Sequence, residues 1–182
     1  MTGLLRDYLP NAPDLGLFVA PEIPESKLRA ALADYAPEIT EADVLALYDA
    51  TRLGSAKDGA LFLADRFVFQ NNDLQTPRAI RYEDIVGVRS RRQLLGGKRV
   101  EIEVNRGRAT IVETLDFSAQ AGAAEFVERF LHEAMLRSAA TAGTSASPSG
   151  TDRAAVRAAL DRLVETGALA AADRQRMLDA LR

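Results

Sequence analysis

The sequence predicts an α+β chain, an antiparallel β-barrel or sandwich capped by a helix, flanked by an N-terminal arm and helix and by a C-terminal helical hairpin. Three observations predict it. From about 44 to 116 the apolar residues alternate or gather in short β-branched and aromatic runs, the signature of strands. After Asp116 they recur at helical spacing. A stretch without charge or large apolar groups at 138–150 then separates off two further helical segments. The expected organisation is an arm and helix over 1–40, a β-rich domain over 41–137, a flexible linker over 138–150 and a hairpin over 151–182. With 182 residues, 47% of them apolar, the chain can bury one ordinary core with appendages.

Taken in order, residues 1–23 carry Pro10, Pro13 and Pro21 around Leu15, Leu17, Phe18 and Val19. Prolines this dense forbid a long helix and suggest an extended arm that docks on something. Residues 24–36 read as a helix. Pro24 and Glu25 suit its start, Leu28, Ala31, Leu32 and Tyr35 give one apolar face, and Pro37 ends it. The segment VLALYDAT from Val44 alternates weakly, leaving strand or one further helical turn open. ALFLADRFVFQNN is a clearer β signal, two runs parted by Asp65-Arg66.

AIRYEDIVGVRSR continues in β style, with Val86 and Val88 expected on one face. Val100, Ile102 and Val104 point inward by strict alternation, with Glu101 and Glu103 outward. ATIVETLDF follows as a last strand. Gly96-Gly97 and Asn105-Arg106-Gly107 supply the turns of a meander. The capping helix then shows Phe126, Val127, Phe130, Leu131 and Ala134 as its apolar stripe, with Ser118 as candidate N-cap. In the final segment Val156, Leu160, Leu163, Leu169, Met177, Leu178 and Leu181 form apolar faces too small to be stable alone. They predict self-association or a partner, so a homo-oligomer is expected to be accessible.

Charge is uneven. The chain carries −3 overall, yet Arg89, Arg91, Arg92, Lys98, Arg99, Arg106 and Arg108 between Gly87 and Arg108 stand against Glu101 and Glu103 alone. Such an island could draw a phosphate, an anionic lipid or an acidic protein surface, or simply keep an edge hairpin in solution. Leu94 and Leu95 lie within it, ringed by Arg89, Arg91, Arg92, Lys98 and Arg99. Apolar residues rimmed by cations suit a protein interface or insertion among anionic headgroups. Nucleic acid is disfavoured, because the chain is acidic and the basic hairpin has no aromatic residue to stack on bases.

LYDATRLGSAKDGALFLADRFVF, RYEDIVGV, the VEIEV strand and the closing helix together resemble the bacterial PH-like and GRAM-like domains. The resemblance covers about 44–136 and implies a strand pair at the start, a mid-sheet strand at the Tyr-Glu-Asp-Ile segment and a helix capping the barrel. Eukaryotic PH domains usually carry a tryptophan in that helix, and this chain has none. The last 30 or so residues resemble the short C-terminal helical-hairpin domain known as SHOCT. The resemblance rests on Leu160, Leu163, Gly167 and Leu169, then Asp173 and Met177-Leu178. Together the two resemblances imply an oligomerising or protein-binding module.

No pattern specifies a reaction. His132 is the one histidine, set with Glu125, Glu128 and Arg129 on a polar helix face, and no nucleophile elbow accompanies it. With no cysteine, thiolate chemistry and disulfides are excluded. No calcium-loop spacing appears, so neither metal nor cofactor is expected. Glu83-Asp84 and Asp49 read as turn formers or solvated charges, and Gly96-Gly97-Lys98 as a hairpin turn, since the phosphate-loop spacing is missing. The expectation is a non-catalytic scaffold or adaptor in the cytoplasm, given no export signal. It would bind protein or itself, with peripheral binding to an anionic membrane as the alternative.

Overall fold

A computed structural model describes residues 2–94 and 97–145, with residues 160 and 173 singly. The elements are α1 (Thr2–Tyr8), β1 (Leu17–Val19), α2 (Glu25–Tyr35), β2 (Ala46–Asp49), β3 (Gly59–Phe62), β4 (Arg66–Gln70), β5 (Arg78–Arg81), β6 (Ile85–Arg92), β7 (Lys98–Asn105), β8 (Thr110–Asp116) and α3 (Ala123–Ser145). Two compact units divide the chain at Ala139/Ala140.

The first unit is mixed α+β. Strands β1 to β5 form one antiparallel meander and β6 to β8 another, each in sequence order. The five-stranded sheet is buried on both faces along β1 to β4, with only Ile80 of β5 buried, and the sequence shows why. Its strands carry large apolar residues on both parities: Leu17 and Val19 against Phe18, Tyr48 against Leu47, Phe62 against Leu61, and Phe67 and Phe69 against Val68. One parity joins Val100, Ile102 and Val104 of β7, Leu115 of β8, and Val127, Phe130 and Leu131 of α3 in the larger core. The other parity packs with Leu28, Ala31, Leu32 and Tyr35 of α2. The two sheets thus share one core, as in a sandwich, and α2 covers the outer face of the first.

One seam between the sheets is tied by side chains. The Asn71 amide imitates a neighbouring strand, donating Nδ2 to the Thr114 carbonyl at 2.7 Å and accepting the Asp116 N–H at 2.9 Å. Arg78 pairs with Glu113 at 2.8 Å beside it. Tyr82, in the turn between β5 and β6, donates its hydroxyl to the Leu63 carbonyl at 3.1 Å and so holds that turn to the end of β3.

Several expectations change. Residues 2–8 are helical rather than extended, because the first proline comes only at Pro10 and the intervening turn buries Leu4, Leu5 and Leu9. The arm does dock, but on its own sheet, where Leu17–Val19 pairs with Ala46–Tyr48. Val44 leads into strand, not helix. The Tyr-Glu-Asp segment is a 3-10 turn joining the two sheets, and the strand that follows, β6, is an edge rather than mid-sheet. A bulge between Ile85 and Gly87 takes Val86 out to solvent while Val88 packs on the core, so the two valines do not share a face. Ser118 does not cap α3, which begins at Ala123. Its hydroxyl donates to Asp116 at 2.7 Å.

The expected linker also differs. Residues 138–145 continue α3, consistent with the high helix propensity of the alanines there, and 146–150 lie outside the described residues. In the second unit residues 160 and 173 are helical, and Leu160 is only 8% exposed within a single chain. The other residues expected in self-association, Val156, Leu163, Leu169, Met177, Leu178 and Leu181, lie outside the described residues, as does most of the expected hairpin. Among the described residues no helix is long and apolar enough to cross a membrane.

Candidate functional site

The basic residues singled out by the sequence sit on the β6–β7 hairpin, whose register sets Arg89 opposite Glu101, Arg91 opposite Arg99 and Arg92 opposite Lys98. Like charges facing each other across a ladder repel. Glu101 resolves this for the outer face. Its carboxylate accepts Arg91 Nε at 2.8 Å, Arg99 Nη2 at 3.0 Å and Arg89 Nε at 3.2 Å. Glu103 takes Arg89 Nη2 at 2.8 Å. Lys98 reaches across to Glu125 of α3. The outward glutamates of the VEIEV pattern therefore point where expected, but Glu101 is only 9% exposed, roofed by three arginines. Sequence alone counts the cations; it does not show that Arg89, Arg91, Lys98 and Arg99 are already paired.

The Glu101 carboxyl is held below its usual value. Burial pushes it up, and hydrogen bonds from Arg91 and Arg89, with the charges of Arg91 and Arg99, outweigh that. Its folded value being depressed, its contribution to stability is present above the ordinary carboxylate range and fades as pH falls through the folded value. Glu101→Gln should therefore lower stability at neutral pH and flatten the acid limb, measured by urea unfolding across a pH series. Matching pH profiles for variant and wild type would mean that the arginine roof contributes nothing.

The base of the hairpin is anchored. Gln93 donates Nε2 to Asp116 at 2.8 Å and to Ser118 at 3.1 Å, and its backbone N–H reaches the Gly97 carbonyl at 3.2 Å. Gly97 has φ +81°, and a Cβ there would lie 2.8 Å from Ser118 Cα, so the turn closes onto the β8–α3 junction only with glycine. Beyond that anchor Leu94 is fully exposed, beside a hollow of about 360 Å³ lined by Arg92, Gln93, Leu94 and Arg99. Leu95 lies outside the described residues. Neighbouring α3 also ties the edge strand, with Glu128 accepting the Ser90 N–H at 2.8 Å.

The remaining sequence candidates are dispersed. His132 is exposed on α3. Glu83 and Asp84 both pair with Arg81. Asp49 is not a solvated charge but 2% exposed, ion-paired with Lys27 at 2.6 Å and accepting the Thr51 and Ala56 N–H groups at 2.9 and 3.2 Å. It folds the β2–β3 loop about itself. Sequence reasoning missed a second grouping altogether: Asp34, Asp58 and Asp73, from three separate segments, bring their carboxylates together.

Comparison of this chain with protein-family models, with curated proteins and with solved structures found no match.

Proposed function

We propose that this chain is a non-catalytic, PH-like docking module of the cytoplasm, an adaptor that binds a protein partner through the tip of the β6–β7 hairpin. One observation carries the reading: Arg89, Arg91, Arg99 and Lys98 of the hairpin are engaged by Glu101, Glu103 and Glu125, while Leu94 beyond them is bare. A cation adds about 1 kcal/mol near an anionic membrane only if it is free to turn its charge outward. Paired cations forfeit most of that. An apolar tip inside a rim of ordered polar groups has the anatomy of a protein contact.

The succession of a strand meander, a second meander and a closing helix supports the PH-like reading. The resemblance of 151–182 to SHOCT supports a second contact, with a copy of this chain or another partner. Two weak contacts on one chain raise avidity without a new strong interface.

Vesicles rich in phosphatidylserine separate this reading from its membrane alternative. The full chain should stay in the supernatant at physiological salt, and Arg91→Glu/Arg92→Glu should behave the same. Salt-sensitive sedimentation of the wild type, lost in that double variant, would instead establish membrane binding.

A further inference from the structure

Arg92 is the cation that the β6–β7 hairpin leaves over. It ends β6 and stands opposite Lys98, a like charge that cannot neutralise it. Lys98 is committed to Glu125, while Arg89, Arg91 and Arg99 share Glu101 and Glu103. Glu125 feels the Arg92 charge but is hydrogen-bonded to Lys98. Among the described residues Arg92 has no ion pair. It lines the hollow of about 360 Å³ at the hairpin tip, together with Gln93, Leu94 and Arg99.

That hollow has a fixed base. Gln93 is held by Asp116 and Ser118 at 2.8 and 3.1 Å, and the close approach of Gly97 to Ser118 sets the turn. A site already held in place loses less entropy on binding. Arg99 is paired with Glu101 at 3.0 Å, which leaves Arg92 as the cation able to serve an incoming group. Leu94, two residues on, is fully exposed on the same hollow.

We infer that the hairpin tip takes a short acidic-apolar peptide segment of its partner, with a carboxylate on Arg92 and a neighbouring apolar side chain on Leu94. This rests on the docking reading above and specifies the chemistry of what docks. A guanidinium meets a carboxylate through two parallel hydrogen bonds, the strongest polar contact open to it, and arginine is enriched among the residues that dominate interfaces. Because Arg92 and Leu94 border one hollow of limited volume, the two partner groups belong to a single stretch of chain. A basic or purely apolar segment would leave Arg92 covered and unpaired, which is costly.

A random twelve-residue peptide library, selected on the full chain and depleted on Leu94→Ser, tests this without presupposing a sequence. Peptides that need Leu94 should carry Asp or Glu within two residues of Leu, Ile or Phe. Their affinity should fall about tenfold or more in Arg92→Gln, the loss expected for a charge-assisted hydrogen bond. Arg92 is exposed, so this change leaves the core intact, and Arg106→Gln, at an exposed cation in the far turn, should have no effect. Leu94-dependent peptides without acidic residues, or with wild-type affinity for Arg92→Gln, would overturn the inference and leave the docking reading standing. Equal losses in Arg92→Gln and Arg106→Gln would do the same, since they would show only a general attraction to positive charge. Recovery of no Leu94-dependent peptide would count against both.

Discussion

Gly59→Ala should cost about 4 kcal/mol or more and leave little folded protein at room temperature. Gly59 opens β3 with φ +141°, a conformation that residues with a Cβ rarely adopt. Steric conflict adds to this, since a Cβ at that position would lie 1.9 Å from the Tyr48 carbonyl oxygen and 3.1 Å from the Ala50 nitrogen. Those are backbone atoms of the neighbouring strand and cannot swing aside. Tyr48 itself is pinned, its ring stacked on Phe117 at 4.5 Å inside the core. Relief therefore requires parting β2 from β3 in the middle of the sheet. Urea denaturation followed by circular dichroism measures the loss, and a variant of wild-type stability would contradict the β2–β3 register.

Phe130→Ala should cost about 3–5 kcal/mol. Phe130 is the central residue of the α3 stripe, fully buried, and meets Phe62 and Tyr82 edge-on at 5.6 Å each. Phe62 belongs to the first sheet and Tyr82 to the turn that leads into the second, so this one ring joins the helix to both. Truncation leaves a cavity among aromatic rings whose positions are set by strand pairing, and partial collapse cannot fill it. Half-buried Phe126, four residues earlier, is the control: Phe126→Ala should cost clearly less. Equal losses at the two positions would mean that α3 packs on a different face.

Much of this core was legible because the residues that build it obey local periodicity. The α2 boundaries follow from Pro24 and Pro37, and the inward set of β7 from strict alternation. Runs such as ALFL and FVFQ were also informative: they lack alternation because both faces of their sheet are covered. What escaped depends on tertiary context. A seven-residue helix before Pro10 has no cap signal, and its leucines fit a helix only once a core exists to receive them. The bulge that separates Val86 from Val88 is a property of strand pairing, invisible in a single strand.

The hairpin was half legible. Composition located the cations and Leu94, but their pairing depends on which carboxylate faces which arginine across a register, and on α3 bringing Glu125 alongside. Asp34, Asp58 and Asp73 could not be found by spacing at all, because topology alone brings a helix end and two loops together.

The central claim is that a protein partner docks on the hairpin tip. A photo-activatable amino acid in place of Leu94, in the full chain and in the cells that produce it, tests this most directly. The same probe at exposed Arg106, in the turn at the far end of β7, serves as control. The account predicts a discrete protein adduct from position 94, absent from position 106 and lost when Gly97→Ala disturbs the hairpin base. No adduct at 94, or the same adducts from both positions, would contradict it.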